Sequence, residues 1–424
     1  MTLKNSTATQ MILKLVKERL WKAVSGSASF SSELGDIERF HDVTVVPYIY
    51  LCDKHSGGEI HQGGPVWPNW NKQYLARFSR DGHPVDTRPA SPGDVQKTID
   101  DLAIWGGPIA GHFGHDISDF STRLLQSKLE FPEAKFLFSS KPELDVRQLS
   151  QTPKYFQEML DWFDIQPEQT VIVSEPCRVH TLLVAQQAEQ NWNMGPSEEY
   201  LGLLDAHVST KFKPGHRQEM LFVSRAGVAS HFAGEAYLEK LMEQTGTRVI
   251  RPENMPLFEQ LREYMSTECL CFSEGSAIHG LQLLGRCVGE VHILTRRPKD
   301  RGRSGFAENF IAPRAKKLLY IEAARGIIHG VTPLGQPEVW NGLSVFREDC
   351  LLNYISRLNS KISKRWKQPD YLEHRDADVR RWINQASNHY VSTIAKSREM
   401  IISKLNQLQL GHLIPYARAK LTSS

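Results

Sequence analysis

Three short stretches carry residue types that could do chemistry together. The first is GHFGHDISDFSTR, residues 111–123. His115, Asp119 and Arg123 recur every fourth residue, which on an α-helix places them along one face. A carboxylate one turn from an imidazole fixes its tautomer and raises its basicity, which suits a general base. A capping carboxylate in a salt-bridged helix would show the same spacing. His112 and His115, with Asp116 or Asp119, also have the form of an HxxH metal site. No companion Cys/His/Glu cluster accompanies them, so no metal is expected.

The second stretch is Ser224-Arg225, which closes the apolar run LFV. An arginine at a strand's carboxyl end offers a fork of donors that fits a diphosphate; a surface ion pair is the other reading. The third is CLCFSEGSAIHGLQLLG, residues 269–285. It reads as a buried strand, a tight turn and a helix start. The N–H groups opening such a helix, and the positive end of its dipole, favour an anion, typically a phosphate. Ser273, Gly275 and Ser276 are small enough to let a ligand reach the backbone. Glu274 is unusual in a phosphate turn and suits ribose or sugar hydroxyls. His279 lies in the first turns of the helix, facing either cleft or core. The common phosphate-loop, dinucleotide, zincin and nucleophile-elbow motifs are absent from the sequence. Asp376-Ala377-Asp378 has the DxD form, but it sits in HRDADVRR, a polar helix start, and reads as a capping, solvated stretch.

The elements that must position these residues follow a rhythm. From residue 102 strands and helices alternate, pause at a charged linker at 213–218, and alternate again up to the strand EVHILTRR. Two successive runs of βαβ units predict an α/β protein of two doubly wound, Rossmann-like domains facing across a cleft, with ligands beyond the strands' carboxyl ends. The predicted division is 1–100, an N-terminal helix and β decoration; 101–212, the first Rossmann-like domain; 213–340, the second; and 341–424, a helical, basic extension. Within the first part, 11–24 reads as a basic amphipathic helix that packs on the domain or lies on a membrane surface. Residues 42–53 read as a strand pair interrupted by Pro47, 55–71 as an irregular Gly/Pro/Trp loop, and 74–86 as a hairpin about Asp81-Gly82. DISDFSTRLLQSKL reads as one helix, and the basic stretch 296–317 as a lid over an anion or a disordered loop.

Composition narrows the class. Of 424 residues, 40% are hydrophobic and 23% charged, as in an ordinary soluble protein. A net charge of +3 does not suit a nucleic-acid binder. The charge is uneven, though: residues 361–424 hold twelve Lys/Arg against five Asp/Glu. The six cysteines are scattered without metal spacing, and Cys269 and Cys271 read as small core residues. There is no apolar run of spanning length and no secretory leader pattern, so a cytoplasmic protein is expected.

The ordered set of landmarks between about residues 102 and 294 resembles glycosyltransferase family 61, which contains capsular-polysaccharide-type transferases. The landmarks are His115, Asp119 and Arg123; the segment 155–163; PheValSerArg at 222–225; Pro252-Glu253 before Glu259-Gln260; and the turn SerGluGlySerAlaIleHis, where the family usually has GPHGAGL. Asp116 stands where the family commonly has Trp. The resemblance implies a GT-B fold and an inverting hexosyl or pentosyl transfer from a nucleoside-diphosphate sugar, with no metal or other cofactor. It implies His115 and Asp119 as the catalytic pair. Arg225, Ser224, Glu274, Gly275, Ser276 and His279 would meet the donor, with His112, Asp116 and Arg123 on the acceptor side or in support. The partners implied are the nucleotide sugar and a bacterial surface polysaccharide or lipid-linked glycan, with peripheral contact to the anionic inner face of the membrane through the basic tail and first helix. An epimerase or hydrolase acting on nucleotide sugars, and a non-catalytic polysaccharide-assembly partner, are the alternatives.

Overall fold

The structure is a computed structural model. It describes residues 34–55, 58–71, 75–80, 82–89, 94–95, 97–190, 194–213, 215, 217–286, 288–297 and 307–421. The amphipathic helix expected at 11–24, and residues 298–306 of the basic stretch 296–317, lie outside the described residues.

Two sheets organise the chain. The first contains β1 (Ile37–His55), β2 (Gly58–Pro65), β5 (Lys97–Ile109), β6 (Lys135–Ser140), β7 (Thr170–Ile172) and β8 (Cys177–Ala185), in the order β2-β1-β8-β5-β6-β7. Strands β8, β5, β6 and β7 run parallel, while β1 and β2 close the edge antiparallel. Strand β5 is apolar and buried from Ala103 to Ile109, as a central parallel strand must be. The two-residue strands β3 (Ser79–Arg80) and β4 (His83–Pro84) form the expected hairpin beside this sheet.

The second sheet contains β9 (Gln218–Val223), β11 (Arg248–Ile250), β12 (Thr267–Ser273), β13 (Val288–Leu294) and β14 (Ala315–Ile321), in the order β11-β9-β12-β13-β14. All its pairings are parallel. A third sheet, β10-β16-β15, joins Phe232–Ala233, Leu343–Phe346 and Ala324–Ile328. A single apolar cluster runs through both large sheets, from Phe136, Phe138 and Leu204 to Leu261, Ile278 and Phe310. The two large sheets therefore share a core.

Several sequence expectations change. The first hundred residues are not decoration: β1 and β2 are members of the first sheet, and a boundary at residue 100 would cut β5. The strand β1 is continuous through Pro47, which falls where the register against β2 shifts. A bulge is where a residue without an N–H can sit in a strand. The loop expected at 55–71 holds β2. A boundary at residue 340 falls inside a 3-10 turn (Val339–Asn341), and the C-terminal part begins with a strand rather than a helix.

The C-terminal helices are also built into the molecule. Asp378 lies in the interior of the helix Gln368–His389, not at its start, and is buried. Its Oδ2 accepts the N–H of Gly234 at 2.9 Å. Gly234 is left-handed (φ 83°) and opens the helix Glu235–Gln244, with the Tyr371 ring filling the space where a Cβ would stand. Replacing Asp378 with Ala strands that buried N–H and should cost about 1–3 kcal/mol in urea unfolding. Asp378→Asn keeps an acceptor and should cost less than half as much. Equal losses in the two variants would show that the Gly234 bond is not the interaction that matters.

Candidate active site

The site begins where β5 ends. The Asp116 carboxylate accepts the Ala110 N–H at 2.7 Å on one oxygen and the Tyr155 hydroxyl at 2.7 Å on the other. It clamps the loop between strand and helix and is completely buried. Burial pushes its carboxyl up to about 6, against the bonds from Tyr155 and Ala110. Asp116 thus supports the loop.

The segment after it is not one helix. A short α turn (Phe113–His115) passes into a π-helix (Asp116–Phe120), a 3-10 turn (Ser121–Arg123) and then an α-helix (Leu124–Glu130). The wider π turn changes which residues stack. His115 and Asp119 do meet, with Nδ1 to Oδ2 at 2.9 Å. Arg123 makes no bond to them: it is buried, and burial pulls it down to about 10 against the charge of Asp86. Its expected place is taken by Arg80 from β3, whose Nη2 donates to Asp119 Oδ2 at 3.1 Å. Burial acts to raise the Asp119 carboxyl, but the His115 bond and the Arg80 charge outweigh it and hold it below the usual range. An ionised Asp119 makes His115 Nδ1 the protonated nitrogen and leaves Nε2 as the basic one.

The second half of the site is held by Glu235, which the sequence reading missed. Its Oε1 accepts Ser224 Oγ at 3.0 Å and the Arg225 N–H at 2.8 Å, and its Oε2 accepts the Phe232 N–H at 3.0 Å. The Ser224 hydroxyl also takes the Ala226 N–H, so it shapes the turn. The Arg225 guanidinium is steadied by the carbonyls of Ala229 and Ser230 and lies flat against Gly275, leaving no room there for a Cβ. Glu274 does not offer itself to hydroxyls: its carboxylate takes Arg296 N at 2.7 Å and Arg297 Nη2 at 2.8 Å, buried inside the turn. The helix expected at 277–284 is a 3-10 helix (Ser276–Leu283).

The two halves meet at Gly114. A Cβ there would lie 3.2 Å from His112 Cε1, 3.2 Å from His279 Cδ2 and 3.3 Å from Ser276 Cβ. His112 is held down to about 4, by burial first and then by the charges of His115, His279, Lys141 and Arg225, so it is neutral at pH 7. Beside this junction opens a cavity of about 670 Å³. Phe113, Tyr155 and Glu158 wall it on one side, and Arg225, Glu253 and Ser276 on the other. His115 and Asp119 do not line it. Of the two, only His115 is reachable, with its side chain 34% exposed against 0% for Asp119.

Both sheets place these loops by the same rule. In the second sheet the chain reverses direction of winding between β9 and β12, and in the parallel part of the first sheet between β5 and β8. Ligands of open α/β sheets bind at such switch points, beyond the carboxyl ends. Arg225 follows β9, the Gly275 turn follows β12, and His115 follows β5. The loop after β8, residues 187–190, was not singled out in the sequence. Gln187 holds Ser79 N at 2.8 Å and the Asp119 carbonyl at 2.7 Å, and Gln190 holds Gly82 N at 2.8 Å. These bonds carry Arg80 to Asp119. A run of Gln and Glu after a strand was the signal available. Among the described residues no group of three or more His, Cys, Asp or Glu is placed to hold a metal.

The raised Asp116 carboxyl makes a pH prediction. Between its ordinary 3.8 and about 6 the folded protein holds this proton more tightly than the unfolded chain does. This contribution to stability is therefore present at the acid end and is lost as pH rises through about 6. Asp116→Asn should match the parent near pH 4 and become the more stable by on the order of 2 kcal/mol at pH 7, measured by urea unfolding at each pH. Parallel stability profiles would refute the assignment.

No curated protein matches the chain. Residues 113–286, from the helix that carries His115 to the end of the turn that follows β12, match the family model described as Glycosyltransferase 61. The matched segment contains His115, Asp119, Arg225, Gly275 and Ser276; it is similar to glycosyltransferase family 61, and the protein that carries it is a glycosyltransferase.

Proposed function

We propose that the protein is an inverting glycosyltransferase of GT-B-like plan that moves a sugar from a nucleoside-diphosphate sugar to a hydroxyl of a bacterial surface polysaccharide or lipid-linked glycan. One observation carries this reading: Arg225 and Ser276 line a cavity whose other wall includes Phe113, two residues before His115 of the His115–Asp119 pair, and each side lies at a switch point of its own sheet.

The acceptor hydroxyl gives its proton to His115 Nε2, and its oxygen forms the new bond to the anomeric carbon. The bond from that carbon to the diphosphate oxygen breaks on the opposite face, and its electron pair leaves with the nucleoside diphosphate. Asp119, kept ionised with Arg80 beside it, orients the ring and stabilises the imidazolium that forms. The leaving charge is met by Arg225 and by the first N–H groups of the 3-10 helix Ser276–Leu283, which have no carbonyl partners within that helix. Arginine and backbone donors do the work that a metal does in other transferases, and no cofactor is invoked. Glu253, on the cavity wall, takes the hydroxyl-binding role expected of Glu274. Among the described residues no helix is long and apolar enough to cross a membrane. The basic residues of 361–424 suit peripheral contact with an anionic membrane at its cytoplasmic face.

Thermal-shift screening against nucleoside-diphosphate sugars selects the donor, and product analysis then tests the roles. His115→Ala should lower kcat by about 10²–10⁴ with little change in donor KM. Arg225→Ala should weaken donor binding about 10–100-fold. Transfer retained in both Asp119→Asn and Arg225→Ala would end the proposal, and full donor turnover without any acceptor would favour the epimerase or hydrolase reading.

Gly275→Ala supplies an independent check. The added methyl has to displace the Arg225 guanidinium. The variant should therefore reproduce the donor-binding loss of Arg225→Ala in calorimetry while remaining folded. Parent-like binding in Gly275→Ala would place the diphosphate elsewhere.

A further inference from the structure

A second cavity, of about 780 Å³, lies against another face of the helix Leu257–Met265. Leu257 and Gln260 of that helix line the cavity beside Arg225. Phe258, Arg262 and Met265 share a different face, at spacings of four and three, and line the second cavity. Its other wall is the end of the helix Glu198–Lys211 and the linker that follows.

The floor is apolar. The Phe212 and Phe258 rings stand 4.9 Å apart, and both pack against the buried Trp162 ring, at 5.6 and 6.1 Å. Phe258 remains 42% exposed. The rim is cationic: Lys211, Lys213, Arg217, Arg262 and Arg286 line the cavity, and Asp205 is the only acid among the described lining residues. Three of these cations are answered within the fold. Lys211 pairs with Asp164 at 2.6 Å, Arg217 with Glu268 at 3.6 Å, and Arg286 with Asp205 at 2.7 Å and with Glu198. Lys213 and Arg262 are exposed, and neither side chain has an acidic partner among the described residues.

A cation in the last turn of a helix answers its carbonyl end, which accounts for Lys211 and Arg262 by position. It does not account for Lys213, beyond the helix, or for an aromatic floor left open to water. An inorganic anion would meet the two cations and leave that floor wet. A neutral apolar ligand would cover the floor and leave the cations unmet. An amphiphile with an anionic head uses both, and aromatic and basic side chains side by side on an open surface are what a membrane interface selects.

We propose that this cavity docks an anionic phospholipid of a membrane surface, with the phosphate head between Lys213 and Arg262 and the first part of the acyl chains on Phe212, Phe258 and Met265. The contact is separate from that of the basic residues of 361–424, and it does not depend on the reading of the cavity beside Arg225.

Cosedimentation of the full chain with vesicles tests it. The protein should pellet with vesicles of equal parts phosphatidylglycerol and phosphatidylcholine, and stay in solution with phosphatidylcholine alone. The double variant Lys213→Gln, Arg262→Gln changes two exposed side chains without breaking an ion pair. It should melt as the parent does and bind the anionic vesicles about thirtyfold more weakly. Phe258→Ser leaves every charge in place and should weaken binding about tenfold. Parent-like binding by the double variant would put the membrane contact elsewhere, on the 361–424 segment, and overturn the site. Equal binding of the parent to neutral vesicles, or no binding to either kind, overturns it too. Loss in the double variant with parent-like binding by Phe258→Ser would reveal a diffuse attraction of charges with no lipid seated in the cavity, and would also overturn the proposal.

Discussion

The pair Glu189–Arg314 joins the two halves of the molecule where neither partner meets water. Glu189 belongs to the loop after β8 of the first sheet, and Arg314 precedes β14 of the second. Two charges taken out of water are costly unless each donor and acceptor is met. Here the carboxylate also receives Gln282, and the guanidinium also reaches the Leu284 and Phe310 carbonyls. Such a bidentate contact tolerates little sliding or rotation of one sheet against the other. The relative placement of His115 and Arg225, on which the proposed transfer depends, is referred back to this pair.

The loop that carries Glu189 also governs the first half of the site. Its glutamines bond the β3–β4 hairpin and the Asp119 carbonyl, so one short segment sets Arg80, Asp119 and, through Gln282, His279. It occupies the switch point of the first sheet, as the Arg225 and Gly275 turns occupy that of the second. Two doubly wound sheets brought together in this way bring their strand-end loops to a common junction, and the narrow fit around Gly114 is its physical expression. A side chain at that position would have to push apart His112, His279 and Ser276.

Local patterns foretold much of this architecture. The apolar runs of the parallel strands, their alternation with helices, and the break near residue 215 are properties of contiguous sequence, and both large sheets contain the strands expected from them. The His115–Asp119 contact was also legible, because a separation of four residues needs only a local helical turn. Arg123 was misplaced because the expectation assumed an α-helix throughout, and the π turn at Asp116–Phe120 changed the stacking. Glu274 was misread because its partners, Arg296 and Arg297, lie on the neighbouring strand's end, more than twenty residues away in sequence.

By itself the sequence determined the alternation of elements, the residue types able to accept a proton or bind an anion, and the short-range pairings among them. Only the tertiary structure decided that Arg80 from an N-terminal hairpin serves Asp119, that Glu235 shapes the Arg225 turn, and that Arg314 is answered by Glu189 across the halves. The reason is that periodicity records which face of a strand or helix is buried, a property of neighbours within a turn or two. A charge buried far along the chain leaves no such trace, because its partner is chosen by how the sheets pack.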